Sequence, residues 1–355
     1  MLVYHNNGNG TFTEEAHKVG LDKPAKALGI AIGDYDLDGH TDIFVANDSM
    51  VEFLFHNRGN GTFEELGLEA GVAVDGATFA GMGTDLSNDN NDGWPDLANQ
   101  KYALYTSAGD GTFSYDSLVT GIASITLLHS GWGMRFMDYD NDGWKDLLIA
   151  QGHDMDTIAK SFPQLHYREP MMLLRNVGGK KFVNVGPVSG DVFKQQWVGR
   201  GLAVGDIDND GLLDAVVIEN GGPAHVLMNR TQTTNHWIGF KLVGHKSNRD
   251  GIGAVIKITT SKGPQWNTVT TASSYLSSGD VRAHFGLGPD SEATTVEIRW
   301  PSGILQTLTN VKGGQYIEVD EPASATADSS SIKIKHANNG RGRESPEPHE
   351  QRLRR

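Results

Sequence analysis

The sequence predicts an all-β protein: a β-propeller, then a small β domain, then a disordered polar tail. Three observations carry that expectation. An Asp-rich loop between short β-branched runs occurs four times in the first two-thirds of the chain. A Gly/Asn hairpin signal recurs with the same beat, and repetition of two motifs in one register is the signature of a repeat fold. From residue 235 the beat stops, and alternating strands of a different pattern take over.

In chain order, residues 1–20 hold one hairpin signal, "HNNGNGTF" (5–12), between "LVYHN" and "TFTEE", with no strand–loop–strand ahead of it. They are expected to form the outer hairpin of a partial blade, as in an N-terminally truncated propeller. Its open inner edge would offer unpaired backbone groups, so self-association through an open propeller edge is expected. Residues 21–234 hold the repeats: "GDYDLDGHTDIFVAN" (33–47), a worn copy "SNDNNDGWPDLANQ" (87–100), "MDYDNDGWKDLLIAQ" (137–151) and "GDIDNDGLLDAVVIE" (205–219). Apolar, β-branched runs on either side of each acidic loop read as strands. The hairpin signal returns as "HNRGNGTF" (56–63), "TSAGDGTF" (106–113) and "RNVGGKKF" (175–182), where glycine and asparagine accept positive φ. Each repeat is thus about four antiparallel strands, the size of a propeller blade.

Each loop alternates oxygen donors around a glycine, the pattern that suits a hard cation such as Ca²⁺. Side chains at loop positions 1, 3, 5 and 9 are Asp34, Asp36, Asp38 and Asp42; Asn88, Asn90, Asp92 and Asp96; Asp138, Asp140, Asp142 and Asp146; and Asp206, Asp208, Asp210 and Asp214. Position 7 can offer a backbone carbonyl, from His40, Trp94, Trp144 or Leu212. An EF-hand is rejected, because it needs Glu at position 12 and flanking helices. Here position 12 is Val45, Asn99, Ile149 or Val217, between strands. The bland alternative is that Asp and Asn only brace turns through local hydrogen bonds. In the second loop, neutral Asn88 and Asn90 replace carboxylates, which predicts weaker binding, with Asp89 a candidate to compensate.

These acidic loops between strands resemble the FG-GAP repeats of integrin α-subunit propellers. Residues 235–320 resemble the ASPIC/UnbV domain through "NHWIGFKLVG", "NRDGIGAVIKI" (248–258), "SSYLSSGDVRAHFGLG" (273–288) and "VEIRWPSG" (296–303). The combination is similar to the cartilage acidic protein family, and the resemblance spans roughly residues 1 to 320. It implies calcium binding at Asp34, Asp36, Asp38, Asp42, Asp138, Asp140, Asp142, Asp146, Asp206, Asp208, Asp210 and Asp214, and less completely at Asn88, Asn90, Asp92 and Asp96. It also implies a longer propeller and an extracellular or periplasmic location, although no signal peptide is visible in this chain.

The rest of the sequence narrows the function. A formal net charge of −14 argues against a nucleic-acid partner, which a positive field would have to attract. No apolar run is long enough for a membrane span. The absence of cysteine excludes disulfides, zinc thiolates and thiol catalysis. In the C-terminal domain, Arg249, Asp250, His284 and Arg299 are the polar residues that stand out. Residues 321–355, rich in Ser, Pro and charge, are expected to be a disordered tail.

No nucleophile elbow, HExxH helix or phosphate loop occurs, so an enzyme is the less favoured class. The best cluster is the insert "QGHDMDTIAKSFPQLHYREP" (151–170), which with Arg200 gives a candidate ligand face of His153, His166, Arg168 and Arg200. Three functions remain open at this point. The first is a calcium-stabilised binding or adhesion module recognising protein or glycan. The second is a propeller hydrolase or lyase acting on polysaccharide, and the third is a purely structural surface protein.

Overall fold

A computed structural model describes residues 1–73, 81–99 and 102–324, with the backbone of 79–80 and 335–336. The chain is all-β. Four antiparallel sheets follow one another, each opening on the strand pair that brackets an acidic loop. The first sheet runs Ala27–Gly33, Asp42–Met50, Phe53–Asn57, Phe63–Glu65, with Phe79–Ala80 paired to the second of these strands. The second is Thr84–Ser87, Asp96–Asn99, Ala103–Ser107, Phe113–Tyr115, and the third is Gly131–Met137, Asp146–Gln151, Met172–Asn176, Phe182–Asn184. The fourth has three strands, Gly199–Gly205, Asp214–Glu219 and Ala224–Leu227. The loop closes at one register throughout, with Gly33 opposite Asp42, Ser87 opposite Asp96, Met137 opposite Asp146 and Gly205 opposite Asp214.

The sheets stack face to face, which is why their central strands read as continuous apolar runs and not as alternating ones. Ala31, Phe44 and Leu54 meet Leu97, Tyr105 and Phe113 between the first and second sheets. Ala98 and Leu104 meet Met134, Phe136 and Leu147 in the next layer. Leu148 and Leu173 meet Leu202, Val204 and Val217 in the last. Each large apolar side chain buried this way contributes roughly 1.5–3 kcal/mol. The residues 1–20 form the expected hairpin, Tyr4–Asn6 against Phe12–Glu14, followed by a short helix Ala16–Val19. This segment covers the outer half of the first sheet, where Met1, Val3, Val19 and Leu21 pack on Val45, Phe53 and Phe55. The inner strand of that face, Leu28, Ile30 and Ile32, stays exposed.

The C-terminal module is two sheets around one core that includes Ile238, Phe240, Ile256, Phe285, Val296, Ile298 and Trp300. One sheet orders Ala283–Gly288, His236–Val243, Tyr316–Asp320 and Lys335–His336, the middle pair being parallel. The other orders Gly263–Thr268, Val255–Thr260, Glu292–Arg299 and Leu305–Lys312. Glu321, just past the boundary expected at 320, is buried and fixed within this module. Its carboxylate accepts the N–H groups of His245, Lys246 and Ser247 and the hydroxyls of Ser247 and Ser302. Apart from 321–324 and the 335–336 strand, the expected tail lies outside the described residues.

A small hairpin, Ala272–Ser273 with Ser277–Ser278, leaves the module and lies along the inner strands of the repeats. Ser274 and Thr84 exchange backbone hydrogen bonds of 2.7 and 3.4 Å, and Leu202 N–H donates to Ser277 Oγ at 3.0 Å. Asp280 N–H donates to Val204 O at 3.1 Å, and Tyr275 meets the Trp132 ring edge-on at 5.0 Å. The module therefore touches the second, third and fourth sheets at once.

Candidate metal centre

The four acidic loops share one backbone design. Position 9 is a buried staple: Asp42 accepts Tyr35 N–H and Asn57 N–H, and Asp96, Asp146 and Asp214 repeat the pair with Asp89 and Ser107, Tyr139 and Asn176, Ile207 and Asn229. Each loop is thereby tied to the hairpin that follows it. Position 5 accepts the N–H of position 7 at 2.8–3.0 Å, from His40, Trp94, Trp144 and Leu212. In loops one, three and four the glycine N–H donates to position 1, at 3.0 Å to Asp34 and 2.9 Å to both Asp138 and Asp206. Two residues per loop are left-handed. Position 6 is Gly39, Gly93, Gly143 or Gly211, and position 4 is Leu37, Asn91, Asn141 or Asn209, each at φ 59°. Asparagine tolerates that conformation and leucine does not, so loop one carries a local strain.

Carboxylates converge in three of the loops. Ligand oxygens of Asp34, Asp36 and Asp38 lie within 4.8 Å of one another, as do those of Asp138, Asp140 and Asp146 and those of Asp206, Asp208 and Asp210. Asp36, Asp42 and His56 form a further group, His56 Nδ1 standing 3.2 Å from Asp36 and 3.4 Å from Asp42. Crowding shows in the acidities. Burial pushes Asp42 up to about 8, and burial with the Asp142 charge does the same to Asp138. Asp146 is held well above the usual carboxylate range by burial and by Asp138, while burial raises Asp34, Asp206 and Asp214. Asp34 Oδ1 and Asn141 Oδ1 are buried with no hydrogen-bond partner. Hard oxygen donors crowded within 4.8 Å, with an orphaned acceptor at Asp34, fit a divalent cation of the calcium type.

The loops are wired to one another and to the module. Asn91 donates to Gly143 O of the next loop at 2.9 Å, and Asn141 to Gly211 O of the one after at 3.0 Å. Asn176 and Asn229 bridge in the opposite direction, back to Asp89 O and Tyr139 O of the preceding loops. At the ends of this series the module supplies the partners. Arg299 reaches Asp34 Oδ2 at 3.0 Å and Leu37 O at 3.1 Å, and Arg282 reaches Asn209 Oδ1 at 2.6 Å and Asp206 O at 2.7 Å. His284 is buried with Nε2 3.1 Å from Gly211 O, and burial lowers its pKa to about 4. Sequence reasoning singled out His284 and Arg299 without their partners. It missed His56, Arg282 and the position-4 asparagines; only the last left a signal, Asn in three of four copies.

The candidate ligand face is largely engaged in holding itself together. Arg200 donates to Gly152 O, His153 O and Gly199 O and lies 3.9 Å over the Trp132 ring. Arg168 pairs with Glu219 and reaches Gln196 O, and His153 Nδ1 sits 2.7 Å from Asp154. His166 is exposed. The insert is pinned between the third and fourth sheets by Glu169–Pro170 pairing with Gln196–Trp197.

The FG-GAP-like repeat family matches residues 1–45, 34–98 and 90–149, and the ASPIC and UnbV family matches 244–326. The chain thus carries FG-GAP-like repeats, matched within residues 1–149, and a C-terminal ASPIC/UnbV domain. It is similar to cartilage acidic protein 1 of Mus musculus, 27% identical over 303 residues, covering 81% of this chain and 44% of that protein. The Homo sapiens protein is 27% identical over 320 residues, covering 86% and 45%. The chain thus spans less than half the length of these curated relatives. A solved structure, the V. cholerae biofilm matrix protein Bap1, aligns over 95% of this chain and 60% of its own at a TM-score of 0.29 and 11% identity. No helix among the described residues is long and apolar enough to cross a membrane.

Proposed function

We propose that the chain is a calcium-stabilised, extracytoplasmic binding or adhesion module in which propeller-type repeats and the ASPIC/UnbV domain act as one rigid body. The observation that carries this reading is the convergence of three acidic ligand atoms within 4.8 Å in each of three loops. Bound Ca²⁺ would be held by Asp34, Asp36 and Asp38, by Asp138, Asp140 and Asp146, and by Asp206, Asp208 and Asp210. It would supply positive charge where burial makes carboxylates costly. The chain's own residues do the positioning: the position-9 aspartates staple the loops, and the asparagines align each with the next. Likeness to cartilage acidic protein 1 supports placement outside the cytoplasm and a protein or glycan partner. An enzyme is not favoured, because Arg200, Arg168 and His153 are committed to bracing the insert.

The exposed stripe of Leu28, Ile30 and Ile32 supports a second element of the reading. Its counterparts Leu86, Phe136 and Val204 in the later sheets each pack on the preceding sheet. In the chain as given, this face is expected to associate with a second copy. Calorimetric titration with CaCl₂, followed by glycan and protein arrays with and without calcium, tests the function. Saturable heat and calcium-dependent retention are expected. Absence of both, or turnover of a polysaccharide lost on His153→Ala, would overturn the reading.

A further inference from the structure

Loop two, residues 88–96, departs from its three sisters in ways that go beyond its missing carboxylates. Positions 3 and 5 are mutually satisfied, since Asn90 Nδ2 donates to Asp92 Oδ2 at 3.0 Å. In the other loops both positions carry like charges, which cannot bond to each other without a cation or a proton between them. Asn88, 6% exposed, has neither Oδ1 nor Nδ2 partnered. A buried amide open at both its donor and its acceptor end suits a water, which can answer both, whereas a cation would answer the oxygen alone and leave the Nδ2 hydrogens unpaired. No group of three acidic ligand atoms converges in this loop among the described residues.

A positive charge is nevertheless present. Lys145, from loop three, extends its ammonium to Asn88 O at 2.9 Å and to Trp266 O of the C-terminal module at 2.7 Å. Burial lowers the pKa of this ammonium, and among the neighbouring charges the buried Asp89, whose Oδ1 has no hydrogen-bond partner, opposes that most strongly. The other loops have cations too, but each of these is an arginine that meets a loop carboxylate or a loop side chain. Arg299 meets Asp34, Arg175 meets Asp140 and Asp142, Arg230 meets Asp208 and Asp210, and Arg282 meets Asn209. Lys145 is instead clasped between two backbone carbonyls of different elements.

We infer that loop two is a metal-independent copy: the Lys145 ammonium and the Asn90–Asp92 bond take the place of the cation, divalent ions bind only at loops one, three and four, and the Lys145 bridge to Trp266 O fastens the module whether or not calcium is present. The inference rests on the calcium reading above. Native mass spectrometry of the whole chain at saturating Ca²⁺ tests it. Three bound ions are expected, with three retained in Asp92→Asn and two in Asp140→Asn. Four ions falling to three in Asp92→Asn would overturn the inference and leave the calcium reading standing; no bound ion would overturn both. Lys145→Gln adds an independent readout. Its melting temperature is expected to fall by the same amount in calcium and in chelator, and a loss that calcium rescues would contradict the role assigned to Lys145.

Discussion

Two buried glutamates make opposite use of their surroundings. At Glu321 burial alone would raise the pKa, but hydrogen bonds from Ser302, Ser247 and His245 outweigh it and hold the group at about 2. A depressed carboxylate pKa gives stability that is complete above its unfolded value near 4.5 and is lost as pH falls towards 2. Glu321→Gln is expected to destabilise the module by roughly 2 kcal/mol or more at neutral pH, since charge-assisted bonds are lost; chemical denaturation checks it. Glu52 is the reverse case. It is buried, accepts Asn47 N–H and Asn99 Nδ2, and is raised to about 8 by desolvation. The unfolded chain ionises this group first as pH rises, so stability drains away between about 4.5 and 8, by at most about 1.4 kcal/mol per pH unit for a single group. Glu52→Gln is expected to flatten that slope, because an amide has no proton to lose over this range. Melting curves from pH 5 to 9 that remain parallel for the two proteins would rule this out.

At the scale of the element, the acidic loops carry the account. Asp138→Ala or Asp206→Ala removes a charged donor from a convergent set and should abolish most of one site's contribution, about 4 kcal/mol at 1,000-fold saturation. Asn88→Ala is expected to leave the calcium-dependent part of stability unchanged, and equal losses at all three positions would contradict the ranking. Much of this element was legible beforehand. Alternating aspartates around a glycine announced the loop, and β-branched runs announced its strands, because both are local patterns. What was not legible is what depends on distant partners. Nothing in "WKD" says that Lys145 crosses to Asn88 O and Trp266 O, and nothing in "VEIRW" says that Arg299 ends on Asp34. The position-9 aspartates read as ligands, and what the sequence did not show is a second task, two backbone N–H groups accepted by each. Arg200 looked available, and stacking on Trp132 commits it.

At the scale of the molecule, repeats and module share so many bonds that they should unfold together. Arg282 alone joins Asn209 Oδ1, Asp206 O and, by its guanidinium 4.0 Å over the ring, Tyr316. The whole chain is expected to give one calorimetric transition, which Arg282→Ala moves to lower temperature; two separate transitions in the unsubstituted chain would show the module to be an independent domain. The bare stripe of the first sheet gives a second expectation, dimer or higher species growing with concentration and suppressed by Ile30→Asp, read by sedimentation velocity. The central claim, that cations bound in the acidic loops hold the structure together, is tested most directly by thermal unfolding of the whole chain in millimolar Ca²⁺ against excess chelator. A melting temperature higher by many degrees in calcium is expected, since each kcal/mol is worth about 2–4 °C in a domain of this size. Superimposable melting curves in the two conditions would contradict the claim.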